Sequence, residues 1–386
     1  MKKVKFLAGL TILLFGTSIA LAQSDCGSCV PACNPCELVC GPTTAPFTFN
    51  GWMETGVYTN GNGGGNNGPM HTGSIRRTDF ILNQLYFSFE KEMNTRCGFD
   101  WGARSDFVYG AHAGSMQPFG DETFDFDWGA NEHGYSLSAY QVYGTLGYKN
   151  FSVKVGKFST CLGWEESASK NNFFYSRSYC YWIEPATHMG ALGNYAVNKN
   201  LTLGTGWVTG MDSSYANPND NNAVLTGLTY TLMDDATIYY WVTAGKQYDM
   251  GVRKRLDYFI QSICFEWNPT ERFTYVLQYN LRNDNAVDGS VQYSSFGVNN
   301  HFLYKLSDQW GVGTRVEWLR ENGGFLSNFG GDYYEWTVGL NWNPHKNVSV
   351  RPEVRYDWYK GAGTPFGKNT SRVDQVTGGC GVVVTF

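Results

Sequence analysis

Residues 348–358 read Val-Ser-Val-Arg-Pro-Glu-Val-Arg-Tyr-Asp-Trp. The even positions, Val348, Val350, Pro352, Val354, Tyr356 and Trp358, are all apolar or aromatic. The odd positions, Ser349, Arg351, Glu353, Arg355 and Asp357, are all polar and mostly charged. A period of two places each set on one face of a β-strand, whereas a helix, with its period of 3.6, would mix them. The pattern recurs upstream. Tyr334, Trp336, Val338, Leu340 and Trp342 alternate with Glu335, Thr337, Gly339 and Asn341. Trp310, Val312, Val316 and Trp318, interrupted by Thr314, oppose Gln309, Gly311, Gly313, Arg315 and Glu317.

Sixteen such segments lie between residues 47 and 386, and their connections alternate in length. Tight turns such as Lys149-Asn150 and Ser307-Asp308 alternate with longer loops rich in Gly, Asn, Asp and Ser, the longest at about 110–134 and 159–186. Short turns on one rim and long loops on the other define an all-β fold, a transmembrane antiparallel β-barrel of about 16 strands. A sandwich or propeller also has short alternating strands, but neither has reason to alternate its loops so strictly. Trp310 and Trp318, and Tyr334 and Trp342, are each eight residues apart. That spans about 20 Å of a tilted strand, close to the height of a membrane barrel's apolar band. Trp310, Trp318, Tyr334, Trp342, Trp358 and Phe386 are therefore the expected membrane-interface aromatics. Backbone polar groups in lipid must all be paired, which a sheet achieves only by closing on itself. Sixteen closed strands leave room for an aqueous channel.

Composition agrees. Of 386 residues, 16% are charged, 16% are aromatic and 46 are glycine. Ample apolar content excludes disorder, and a formal charge of −5 speaks against a nucleic-acid partner. Lys2, Lys3 and Lys5, the apolar run Phe6 to Phe15 and the site Ala20-Leu21-Ala22 form a signal peptide over 1–22. A Cys/Pro-rich leader follows over 23–46, and the barrel occupies 47–386. No later run of 18 apolar residues would make a membrane helix.

The chain finishes on Gly381-Val-Val-Val-Thr-Phe386 and its first strand opens Phe49-Asn-Gly-Trp-Met-Glu54. Over about 47–386 it resembles the OmpL-like β-barrel porin family, the planctomycete-type outer-membrane porins. The resemblance implies a bacterial outer-membrane porin, a passive diffusion channel for small hydrophilic solutes or ions. It implies outer-membrane lipid as surroundings, recognition of Phe386 by the barrel-assembly machinery, and a homotrimer.

If the apolar faces meet lipid, the polar faces line the pore. The pore-lining candidates are Asp100, Arg104, Asp106, Arg315, Glu317, Glu335, Arg351, Glu353, Arg355 and Asp357. Charge there is expected to be wetted, whereas arginine on the lipid face would cost roughly 2–4 kcal/mol near the midplane. Centring the turn 343–347 on His345 places Glu335 opposite Arg355, Thr337 opposite Glu353, Trp342 opposite Val348 and Leu340 opposite Val350. The Lys149-Asn150 turn places Leu146 opposite Val153. The third long loop is the candidate constriction, with Glu165, Glu166, Lys170, Arg177 and Glu184 among Phe173, Phe174, Tyr175, Tyr179, Tyr181 and Trp182.

Cysteines occur as Cys26, Cys29, Cys33, Cys36 and Cys40 in the leader. Two C-x2-C pairs suit zinc, but export favours disulfides, and an odd thiol suits a cross-link to an envelope or cell-wall partner. Cys161 and Cys180 bracket the third loop and are candidates to pair. Cys264 and Cys380 read as small apolar strand residues.

Enzymatic readings find little support. His301 shares a face with Ser295, yet no Ser-His-acid set is visible. Asp121, Glu122, Asp125, Asp127 and Glu132, between His112 and His133, offer oxygens that calcium takes, or form a solvated face. The sequence therefore points to a non-enzymatic protein with no cofactor and no assigned metal. The competing reading is a structural barrel that anchors its Cys-rich leader to the cell wall or a surface layer.

Overall fold

Alternation of apolar and polar residues over ten or more positions makes a strand whose two faces need different surroundings. A closed barrel supplies them. The computed structural model describes residues 47–61, 80–96, 98–118, 127–130 (backbone), 134–213, 221–249, 254–290, 292–323, 329–366 and 371–386. The signal peptide, the leader and its five cysteines lie outside these residues, as do residues 121–126 and 131–132 of the acidic loop.

The strands are β1 (Thr48–Asn60), β2 (Phe80–Lys91), β3 (Phe99–Gly110), β4 (Asp127–Ala130), β5 (Ser136–Tyr148), β6 (Phe151–Ser159), β7 (Thr187–Ala196), β8 (Leu201–Val208) and β9 (Asn222–Met233). They continue as β10 (Ala236–Asp249), β11 (Lys254–Thr270), β12 (Phe273–Ala286), β13 (Gln292–Lys305), β14 (Trp310–Asn322), β15 (Gly331–His345), β16 (Val348–Gly361) and β17 (Asp374–Thr385). Each wall strand pairs antiparallel with its neighbours in sequence, and β1 pairs with both β2 and β17. The wall is a closed antiparallel barrel of sixteen strands. The four-residue β4, which the sequence pattern missed, pairs only with the start of β5, while β3 and β5 pair along the wall. At the seam, Gly51 and Phe386 exchange two backbone hydrogen bonds of 2.9 Å.

The faces sort as the alternation requires on β14–β16. Trp336, Val338, Leu340, Val354 and Tyr356 are exposed on the outer surface, whereas Arg315, Glu335, Arg355 and Asp357 are fully buried inside. The expected interface aromatics face outward and meet across strands. Trp310 stacks on Trp342 at 5.7 Å, and Tyr334 lies parallel to Trp358 at 5.1 Å. Trp318 is paired with Tyr334 in register, and Phe386 lies beside Phe87 and Phe49.

Register around the last turn is shifted by two from expectation. Glu335 faces Asp357, Thr337 faces Arg355, Gly339 faces Glu353 and Trp342 faces Val350. The irregularity falls between Trp342 and His345, where Pro344 sits. Proline has no N–H to give the ladder, so the strand bulges there and the turn tightens to Lys346-Asn347. A shift of two preserves which face each residue takes. Glu335 and Arg355 consequently still meet, diagonally, at 3.6 Å. The Leu146–Val153 pairing is as expected.

Two expectations about the interior are corrected. Lumen charge is not wetted: Arg351, Glu353 and Arg355 are only 2%, 5% and 0% exposed. Nor is the inner face polar throughout. β7–β11 turn Leu192, Val208, Leu225, Trp241 and Ile260 inward, where they pack with Phe158, Cys161 and Leu162. Both departures have one cause, the third long loop.

Candidate functional site

After Ser159 the chain turns into the lumen and crosses it. At its root, Phe158, Cys161 and Leu162 bury themselves against the apolar patch of β7–β11. Gly163, with φ 72°, then redirects the backbone, a conformation that favours glycine. Beyond it the contacts become polar. Gly163 N donates to Ser262 Oγ at 3.0 Å, and Trp164 N to Gln278 Oε1 at 3.1 Å. The Trp164 indole donates to Glu266 at 3.1 Å, and its ring lies 4.7 Å from His301.

The middle of the loop is held by the wall residues whose charges the sequence singled out. Arg315 bridges Glu335 on its own wall, Nε to Oε2 at 2.9 Å, and Glu165 of the loop, Nη1 to Oε1 at 2.6 Å. Its remaining donors reach Ser176 O at 3.1 Å and Ser176 Oγ at 3.0 Å. Glu353 accepts the amides of Tyr175 at 2.8 Å and Ser176 at 3.1 Å. Glu317 accepts those of Tyr179 and Cys180, at 2.5 and 2.6 Å. These two amides open α1 (Tyr179–Trp182), a single turn capped by Ser178 Oγ, which accepts from Tyr181 N. Helix-terminal amides lack intrahelical partners, so a carboxylate there is well placed.

The remaining ties reach further around the ring. Arg355 donates to Arg177 O at 2.6 Å, and Tyr179 OH donates to Asp357 at 2.9 Å. Arg351 donates to Ser169 O at 2.8 Å and Asn172 O at 3.0 Å, and pairs with Glu54 of β1. On β2, Gln84 accepts from Ser169 and donates to Ser167 O at 2.7 Å. The Tyr175 ring lies against β17, where a Cβ on Gly381 would come within 2.5 Å of it, so only glycine fits.

Burial alone would raise the Glu165 pKa. Arg315, His301 and Arg177, together with a hydrogen bond from the Ser178 side chain, outweigh it and hold the carboxyl down at about 2.

All ten pore-lining candidates face inward. Seven of them, Arg315, Glu317, Glu335, Arg351, Glu353, Arg355 and Asp357, lie on the wall beneath the loop. Arg104 joins Glu90 at 2.9 Å and Asp106 at 2.7 Å on the β2–β3 side, and Tyr86 OH and Gln141 also donate to Asp106. Asp100 stands apart near the short turn, paired with Lys91 at 3.3 Å. The five loop candidates also lie inside the barrel. Glu166 accepts from Asn171, Arg177 donates to Glu166 O, and Lys170 sits 4.5 Å over Trp52. Glu184 accepts from Gln278 and Asn280 of β12. Gln84, Gln278, Asn280 and Trp164 were not foreseen, because an uncharged amide or a loop tryptophan carries no positional signal.

Cys161 and Cys180 do not pair; they are separate thiols. Cys161 belongs to the apolar cluster at the root, whereas Cys180 lies across the lumen against β13, its sulfur facing Gly297. Ser295 and His301 are both buried on β13, but His301 contacts Asn299, Trp164 and Phe174. Among the described residues no cluster of three or more His, Cys, Asp or Glu could hold a metal ion.

A closed sixteen-stranded barrel, apolar outside, with a long loop turned into its lumen, is the architecture of an outer-membrane porin. Solved structures share the fold. The channel DcaP of Acinetobacter baumannii superposes with a TM-score of 0.59 at 11% identity, covering 88% of this chain and 97% of that one. An anion-selective porin of Comamonas acidovorans gives 0.59 at 10% identity over 88% and 99%. The trimer form of OmpT, an outer membrane protein of Vibrio cholerae, gives 0.56 at 11% identity over 88% and 99%. No curated protein sequence matches the chain. The family model described as "Putative beta-barrel porin-2, OmpL-like" matches residues 46–386. The chain belongs to that family, and it is a porin of the bacterial outer membrane.

Proposed function

We propose that this porin passes small hydrophilic solutes or ions by passive diffusion, with residues 160–186 as the constriction that sets their size. One observation carries this reading: the wall charges of β14–β16 are bonded to the loop's own amides and carbonyls, so the loop, not the bare wall, borders any path through the lumen. Transport of this kind needs no catalytic residue, and selection comes from pore width and wall charge. We also propose a homotrimer, the form of the Vibrio cholerae OmpT structure. Deleting residues 165–178 and recording single channels in planar bilayers tests the constriction. Conductance several-fold above wild type is expected, and unchanged conductance would count against the reading.

A further inference from the structure

We infer that the loop does more than narrow the lumen: it seals it at the waist, and the channel conducts only after the segment from Gly163 to Cys180 leaves the β12–β17 wall. This rests on the porin reading above.

The observation is a ring. Each of the sixteen wall strands contributes at least one inward side chain that is no more than 1% exposed. Glu54 of β1, Ser138 of β5, Leu192 of β7, Ile260 of β11, Asn280 of β12 and Arg355 of β16 sample it around the circumference. A pore wide enough for a hydrated solute would leave part of this ring in contact with water. The residues that close it are identified. The loop meets β7–β11 through its apolar root, β12–β17 through its polar middle, and β1–β2 through Tyr175 and Ser167–Ser169. The preceding loop adds Met116, whose carbonyl accepts from Ser138 and from Lys157.

The two sides of the loop differ in what release would lose. The root buries apolar surface, which water cannot replace. On the β12–β17 side Tyr179 and Ile183 also pack on Leu319, Tyr333 and Tyr359, but most of the ties are hydrogen bonds and ion pairs, for which entering water and solute can substitute. Even closed, that side leaves Arg351 Nε, Arg177 Nη2, Asn299 Oδ1 and His301 Nδ1 without a protein partner. The polar side is therefore the one that lets go, turning about the glycine at 163.

The native Cys180 provides the test. A Cβ built on Gly297 of β13 would lie 2.6 Å from Cys180 Sγ, so Gly297→Cys sets two sulfurs within bonding reach. The variant is recorded in planar bilayers, oxidised and then reduced, with wild type treated in parallel. Mass spectrometry verifies the disulfide between Cys180 and the introduced thiol. Sealing predicts that oxidation lowers the channel's mean current at least tenfold and that reductant restores it, with wild type unaffected. Equal currents in both states would overturn it. A second variant guards against misassembly of the first. Glu317→Ala with Glu353→Ala removes the acceptors of four loop amides and should raise the open fraction several-fold; an unchanged open fraction would also overturn the inference. Equal, non-zero currents throughout would leave the porin reading standing and remove only the seal. Absence of current from every form would remove both.

Discussion

Arg315 and Glu165 lie 150 positions apart in the chain, yet their side chains meet at 2.6 Å inside the barrel, both almost wholly buried. The same guanidinium also takes Glu335 at 2.9 Å. One cation thus joins a wall carboxylate to a loop carboxylate, and the fold of the loop depends on the chemistry of the wall.

Removing that cation should be costly. Arg315→Ala leaves Glu165 and Glu335 buried without this partner, and breaking a buried pair from one side typically costs about 3–5 kcal/mol. The loop should come away before the wall does, because the wall retains its closed ladder. Hydrogen exchange read by mass spectrometry should show protection lost over residues 163–180 and kept in β14–β16. Arg315→Lys should recover only part of it, since an ammonium cannot reproduce the fork geometry.

Acid should act on the loop through Glu165. Its folded-state pKa, about 2, lies below the usual 4.5. A depressed carboxyl pKa stabilises the fold fully above its unfolded value and loses that contribution as pH falls through the folded one. The difference in Tm between wild type and Glu165→Gln should therefore be constant above about pH 4.5 and shrink between 4.5 and 2. A difference independent of pH across that window would show that the carboxylate is not the contributing form.

The wall was legible because a period of two survives over many residues and only one closed sheet satisfies it in lipid. Trp310, Trp342, Tyr334 and Trp358 took their expected face. The Leu146–Val153 register followed from a two-residue turn. Register at Pro344 did not, because a missing N–H alters the ladder without altering the alternation. The loop was legible as third, long, charged and aromatic, but its partners were not. Contacts such as Glu353 with Tyr175 join segments nearly 180 residues apart and leave no local pattern. One signal was present: Gly379 and Gly381 share the inward parity of β17, and glycine inside a strand marks close approach of another group, here Tyr175. Inward leucines on β7 and β9 were missed because they cover the loop's root rather than face water.

That root can be tested separately. Leu225 is fully buried in the cluster with Leu162, Val208 and Trp241. Leu225→Ala should destabilise the protein by about 2–5 kcal/mol, the range for a buried leucine that leaves a cavity. Urea unfolding in lipid vesicles gives the value. A cost below about 1 kcal/mol would mean that the root does not anchor the loop.

The aromatic rim makes a further, independent claim. Trp310 and Trp342 stack across β14 and β15. A double-mutant cycle to alanine should return a coupling of about 0.5–1.5 kcal/mol. Zero coupling would mean that each ring interacts with lipid alone.

The most direct measurement is the current across a planar lipid bilayer after addition of the purified, refolded chain. The account predicts discrete conductance steps in simple salt, larger when residues 165–178 are deleted. A membrane that stays silent with both proteins, although each is folded and inserted, would contradict it.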